Sequence, residues 1–163
     1  MRLKLLIHIG LNRTGTTALQ EFFSSKRDQL RSVGLFYPLG VGGLDSHHGV
    51  ASMTAEELAE LAGNLQAEMA QDETLLLSSE AFASAGSARF QPLFEAFDVS
   101  TVVYLREHID YLKSWWGFDV GKQTKTISLS DFAWLSRNLS YEDAINGWPD
   151  PHLISYDSKE FVG

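Results

Sequence analysis

Residues 3–34 (LKLLIHIGLNRTGTTALQEFFSSKRDQLRSVG) limit what this chain can fold into more than any other stretch. Leu5, Leu6, Ile7 and Ile9 make an almost unbroken apolar run of strand length, which Gly10 ends. A polar turn follows, Leu11-Asn12-Arg13-Thr14-Gly15, and then Thr16 and Thr17. From Ala18 the period changes. Leu19, Phe22, Phe23, Lys26, Leu30 and Val33 recur at threes and fours until Gly34, a pattern that predicts a helix. Strand, glycine-bounded loop and helix, in that order, present backbone N–H groups and the positive end of a helix dipole to an anion.

The spacing resembles the phosphate-loop pattern G-x-x-x-x-G-K-[ST] with one departure. Gly10 and Gly15 stand five apart and Thr17 fills the hydroxyl position, but Thr16 replaces the lysine. The positive charge sits instead at Arg13, inside the loop. Without that lysine the main contact to β- and γ-phosphates is gone, which disfavours ordinary ATPase or GTPase chemistry. The two glycines, three threonine hydroxyls and a guanidinium still suit an anion. A plain strand-to-helix turn with Thr16 or Thr17 as the helix cap accounts for the same residues without a ligand.

The formal net charge of −8 argues against a general surface for nucleic acid or anionic membrane, so an anion site has to be a local concentration of positive charge. With 163 residues, 44% of them hydrophobic, the chain has material for a single domain with its own core. Cysteine is absent, which excludes disulfides and thiolate zinc sites and suits a reducing compartment. Arg2 and Lys4 precede a short apolar run, as in a signal peptide. That run contains His8 and leads straight into the glycine loop, so it reads as the first strand of a cytoplasmic protein.

Further along, residues 35–38 read as a short second strand ended by Pro38. A glycine-rich segment then carries His47 and His48. Adjacent side chains diverge and no acidic residue has ligand spacing to them, so zinc is not expected. Residues 54–70 form an amphipathic helix in which Thr54 and Glu57 make a capping box. Residues 74–78 are a buried strand that delivers Ser78, Ser79 and Glu80 at its C-terminal end, where open α/β sheets bind ligands. A helix over 88–97, a strand over 100–105 and a helix over 109–120 follow. The strand ends in Arg106, and Ser114 lies about two helical turns further on. Short helices near 128–132 and over 141–148, and a strand over 152–157, complete the order.

Two segments carry a family resemblance. HIGLNRTGTTALQ resembles the 5′-phosphosulfate loop of the sulfotransferases, written [KR]-[ST]-G-T-T after a strand. VVYLREHIDYLKSWW resembles their 3′-phosphate motif, in which an arginine at a strand end and a serine eight residues on bind that phosphate. LLLSSEAF is similar to the family's segment after the third strand. The resemblance spans nearly the whole chain, and the chain matches the front part of the family, without its C-terminal helices and basic loop.

The resemblance implies 3′-phosphoadenosine 5′-phosphosulfate (PAPS) as sulfuryl donor, adenosine 3′,5′-bisphosphate as product, and no metal. Asn12, Arg13, Thr14, Gly15, Thr16 and Thr17 would hold the 5′-phosphosulfate, with Arg13 in the family's lysine role. Arg106 and Ser114 would hold the 3′-phosphate. His47, His48 or Glu80 would take the proton of a hydroxyl or amine acceptor, a carbohydrate by analogy with the broad family.

The alternation of elements predicts a three-layer α/β/α domain over residues 1–163, with a central parallel sheet and the topology of P-loop nucleotide hydrolases and sulfotransferases. Two other functions fit the same residues. One is a shortened, non-catalytic homologue that binds the bisphosphate or a protein partner. The other is a kinase-like phosphotransferase in which Glu80 serves magnesium. A shortened domain with exposed apolar surface is also expected to pair as a homodimer.

Overall fold

The computed structural model describes residues 2–11, 13–122, 126–136 and 141–156. Five strands form one all-parallel sheet: β1 (Lys4–Ile9), β2 (Leu35–Phe36), β3 (Thr74–Ser79), β4 (Asp98–Leu105) and β5 (Pro151–Ser155). Their order across the sheet is β2-β3-β1-β4-β5. From β1 the chain moves toward the β2 edge, whereas from β3 it crosses over β1 to β4. The connections leaving neighbouring strands β1 and β3 therefore diverge, and ligands of open α/β sheets bind at such a reversal.

β1 sits centrally, with Ile7, His8 and Ile9 buried on its two faces. Leu5, Ile7 and Ile9 point to one side, in register with Leu75, Leu77 and Ser79 of β3. This side packs against α3 (Ala55–Glu68), α4 (Ala81–Ala85) and α5 (Gln91–Ala96) through Leu58, Leu65, Phe82 and Leu93. The opposite face carries His8, whose ring meets Phe23 of α1 (Thr16–Ser25) and Tyr104 of β4 edge-on. Helices thus cover both faces, giving the three-layer α/β/α arrangement expected from the alternation. The remaining helices are α2 (Arg27–Ser32), α6 (His108–Gly121), α7 (Leu129–Leu135) and α8 (Tyr141–Ile145).

The caps explain where several helices start. Thr54 accepts the Glu57 N–H while Glu57 accepts the Thr54 N–H, the full capping box of α3. Ser128 accepts the Asp131 N–H and starts α7. Three expectations need correction. The helix read from Ala18 to Val33 is two helices, broken at Lys26 (φ −108°), and its apolar stripe is shifted. Phe22 and Val33 are exposed, while Thr16 and Gln20 face inward, because the loop before α1 fixes the phase of that helix. The helix over 88–97 becomes a 3-10 turn followed by α5, which begins where Pro92 supplies a helix-ready φ. The helix over 141–148 stops at Ile145, since Gly147 adopts φ +76° and turns Trp148 into the core against Phe90.

Candidate functional site

The register of β1 with β3 pairs Ile9 with Ser79, so Gly10 and Glu80 leave the sheet side by side. Their approach is tight. A Cβ on Gly10 would lie 2.6 Å from Thr16 Cγ2 and 2.9 Å from Glu80 Cγ, so only glycine fits. The loop then turns on itself. Thr14 donates both its N–H (3.3 Å) and its hydroxyl (2.6 Å) to the Leu11 carbonyl, and it is fully buried. Arg13 (φ 69°) and Gly15 (φ 75°) both occupy the left-handed region that lets the chain reverse into α1. No side chain caps α1, whose N-cap is Gly15. The first N–H groups of a helix have no partner within it, so they are donors in search of an acceptor.

The second wall comes from the C-terminal ends of β4 and β5. Arg106, one residue past β4, donates from Nη1 to the Arg13 carbonyl at 3.1 Å. Its guanidinium lies 5.6 Å from the ring centre of Tyr156, whose own N–H donates to the Leu105 carbonyl. The Tyr156 ring abuts Gly15, where a Cβ would meet it at 2.7 Å. From α6, Ser114 Oγ accepts a hydrogen bond from Arg13 Nε at 3.2 Å, and Phe118 lies under the same guanidinium at 4.7 Å. Glu107 does not pair with Arg106 in these contacts: its carboxylate caps α6 by accepting the Asp110 N–H at 2.9 Å, which holds its carboxyl below the usual range.

These residues enclose a cleft of about 480 Å³ lined by Arg13, Gly15, Thr16, Thr17, Glu80, Arg106, Ser114, Trp115, Phe118 and Tyr156. That volume falls within the range of about 300–1,000 Å³ common for small-molecule sites. Two guanidiniums face one carboxylate across it, a local positive excess in an acidic chain.

Glu80 forms the link to the histidines. Its Oε1 accepts the Thr16 hydroxyl, and its Oε2 lies 3.1 Å from His48 Nε2. His48 Nδ1 lies 2.5 Å from Ser79 Oγ, which also accepts the Ala81 N–H at 3.0 Å. His47 does not join this group, and its reading as an acceptor-site base is corrected on geometry. Its Nδ1 accepts the Ser78 N–H at 2.9 Å, its Nε2 donates to the Pro38 carbonyl at 2.9 Å, and its side chain is buried. Burial pushes its pKa down, against the opposing effect of those backbone bonds. A neutral imidazole with both nitrogens engaged ties the second strand's exit to β3. Thr14 likewise shapes the loop instead of facing the cleft. Asn12 lies outside the described residues.

Of the expected residues, the structure gathers Arg13, Gly15, Thr16, Thr17, Glu80, Arg106 and Ser114 around one cleft, with His48 bonded to its edge. Among the aromatics of α6, Trp115 lines it, Tyr111 packs on Trp115 and Tyr141, and Trp116 donates to the Ile127 carbonyl at 2.9 Å. Sequence reasoning named Glu80 but missed Phe118, Tyr156 and the contacts that link Thr16, Glu80, His48 and Ser79. For the meeting of Glu80 with the loop a signal existed, since neighbouring parallel strands bring equivalent ends together.

No protein-family profile matches the sequence, and no curated protein matches it. Thirteen solved chains match it in a structural comparison. One is a sulfotransferase from Alicyclobacillus acidocaldarius, with a TM-score of 0.54 and 13% identity over 99% of this chain and 75% of that one. Others are a gluconokinase from Sinorhizobium meliloti 1021 (TM-score 0.44, 12% identity, 96% of this chain and 85% of that one) and a thymidylate kinase from Ehrlichia chaffeensis (0.43, 12%, 100% and 92%). At 13% identity the likeness to the sulfotransferase establishes the fold alone: a parallel α/β/α domain of the P-loop type.

Proposed function

We propose that the cleft binds PAPS and that the protein moves its sulfuryl group to a hydroxyl or amine acceptor. The observation that carries this reading is the meeting of segments that are 93–101 residues apart in sequence: Arg106 on the Arg13 carbonyl, and Arg13 on Ser114 of α6. Both matched motifs thereby fall in one cleft of suitable size, and the fold shared with a sulfotransferase supports the same reading. When bound, the donor supplies an activated sulfuryl group.

The chain's own groups divide the remaining work. Arg13, the α1 amides at Gly15, Thr16 and Thr17, and their hydroxyls would hold the 5′-phosphosulfate and oppose charge that develops there. Thr14 keeps the shape of that loop. Arg106 and Ser114 would hold the 3′-phosphate, the first as a forked donor. Glu80, which lines the cleft and lies beside His48, would accept the acceptor's proton. A carbohydrate is the acceptor class to screen first.

A kinase-like reading draws on Glu80 beside Thr16 at the end of β3, where a magnesium-binding carboxylate would stand. Threonine in place of the loop lysine weighs against it. Calorimetric titration separates the two. Adenosine 3′,5′-bisphosphate should bind, ATP with magnesium should not, and Arg106→Ala should weaken the bisphosphate at least about tenfold, the worth of a lost charged hydrogen bond. Preference for ATP with magnesium would reverse the assignment, and bisphosphate binding without turnover across an acceptor screen would favour a non-catalytic homologue.

A further inference from the structure

The two arginines of the cleft lean on each other's segments instead of on a carboxylate. Arg106 Nη1 donates to the Arg13 carbonyl at 3.1 Å, and Arg13 Nε donates to Ser114 Oγ at 3.2 Å. Among the described residues neither guanidinium forms an ion pair, although the chain carries 21 acidic residues against 13 lysines and arginines. Glu80, across the cleft, is engaged by Thr16 and His48. A guanidinium has several N–H groups, and each of these two spends one on the contacts above.

The place of Arg13 in the loop points to the 5′-phosphosulfate, but its side chain reaches the wall built by α6. Ser114 and Phe118 stand four apart on that helix and so share one of its faces. The Arg13 guanidinium is held against this face at two points, by Ser114 Oγ and by the Phe118 ring, whose centre lies 4.7 Å away. Lys122 Nζ lies 4.2 Å from the centre of the same ring and brings a third cation to the wall. Like charges gathered in this way repel one another. A phosphate monoester, with about two negative charges at neutral pH, offsets that repulsion. The contact with Arg13 does not use up Ser114. A hydroxyl accepts through its lone pairs and still has its own proton to donate, so Ser114 can accept from Arg13 and give its proton to a phosphate oxygen.

We infer that Arg13 is also a specificity-determining residue for the 3′-phosphate: its guanidinium, set by Ser114 and Phe118, closes on that phosphate beside Arg106. This rests on the cleft being the donor site. The loop that takes the 5′ group then also reads the 3′ group, and the two phosphate subsites are joined through one side chain. A nucleotide without the 3′-phosphate leaves Arg13 as well as Arg106 without an anionic partner, and a site built around a polar group discriminates strongly against the analogue that lacks it.

The test reads a ratio of affinities, not turnover. Adenosine 3′,5′-bisphosphate is titrated calorimetrically into protein alone and into protein preloaded with adenosine 5′-monophosphate, which measures the weaker ligand by competition. Wild type should prefer the bisphosphate. Arg13→Gly removes the side chain and suits the φ of 69°. It should narrow the preference about tenfold or more, the worth of a lost charged hydrogen bond. Arg13→Lys keeps a charge without the side-on donor. It should narrow the preference in the same direction, and it is the variant to read if glycine abolishes binding of both nucleotides. Adenosine 3′-monophosphate, which has no 5′ group for the loop, should also bind these variants more weakly than wild type. Equal weakening of the bisphosphate and the 5′-monophosphate confines Arg13 to the 5′ group, which overturns the inference and leaves the donor site standing. Unchanged binding of the 3′-monophosphate overturns it as well. No binding of the bisphosphate to wild type overturns the donor site and the inference together.

Discussion

Arg13 combines a left-handed backbone, a hydrogen bond to Ser114 and a cation–aromatic contact with Phe118. Lysine in its place would keep the charge but lose the side-on Nε donor and the planar stacking group. Arg13→Lys should bind adenosine 3′,5′-bisphosphate about tenfold more weakly than wild type and Arg13→Ala more weakly still, by calorimetric titration. Equal binding by all three would remove Arg13 from the site. His8 gives a second prediction. Its pKa falls from 6.5 to about 4 on folding, chiefly through desolvation. As pH drops between these values the unfolded chain takes up a proton that the folded protein refuses, so stability is full above pH 6.5 and is lost toward pH 4. The loss amounts to about 3 kcal/mol, and His47, also shifted down, adds to it. Urea unfolding across this window checks the slope, and an NMR midpoint for His8 near its ordinary value would sink it. The two arginines of the cleft were legible in the sequence because each follows a recognisable strand. The histidines were not. Which of two neighbours is buried depends on the Pro38 carbonyl and the Ser78 N–H, contacts set by the packing of distant segments.

The loop between β1 and α1 is the element on which the cleft depends. Gly15 serves it twice, through its φ of +75° and through contact with the Tyr156 ring. Gly15→Ala should destabilise the protein by about 1–3 kcal/mol, seen in urea unfolding, and also weaken bisphosphate binding by displacing Tyr156. Thr54→Ala, in the capping box of α3 and outside the cleft, should cost about 1 kcal/mol of stability and leave binding unchanged. A fall in affinity there would mean that the cleft depends on α3. Strands were read well because β1 and β3 are apolar runs buried between layers and β4 is rich in β-branched residues, signals that survive tertiary packing. Helix phase was read less well. The position of Thr16 against Gly10 and Glu80 rotates α1 so that Phe22 faces solvent, and no periodicity within 18–33 encodes that anchoring.

Charge acts on the molecule as a whole. The chain carries eight net negative charges while its cleft holds two arginines, so attraction to a small dianion is local and repulsion of a long polyanion is general. Bisphosphate affinity should therefore fall as salt rises, while duplex DNA should fail to bind at about 0.15 M salt in a mobility-shift assay. Retention of DNA would show a basic surface that the sequence balance does not suggest. No helix among the described residues is long and apolar enough to cross a membrane. The sheet order has a consequence in time. β1 lies between β3 and β4, and Arg13 meets Ser114 across 101 residues of chain. Contacts of such separation form late, since long loops must close before they stabilise anything. During synthesis the first strand leaves the ribosome long before either neighbour, and the glycine loop exists for most of that interval without the wall that Arg106, Ser114 and Tyr156 provide. A growing chain thus has no complete cleft until β4 and α6 have docked. Any small molecule that binds the cleft can stabilise the protein only after that last stage of folding.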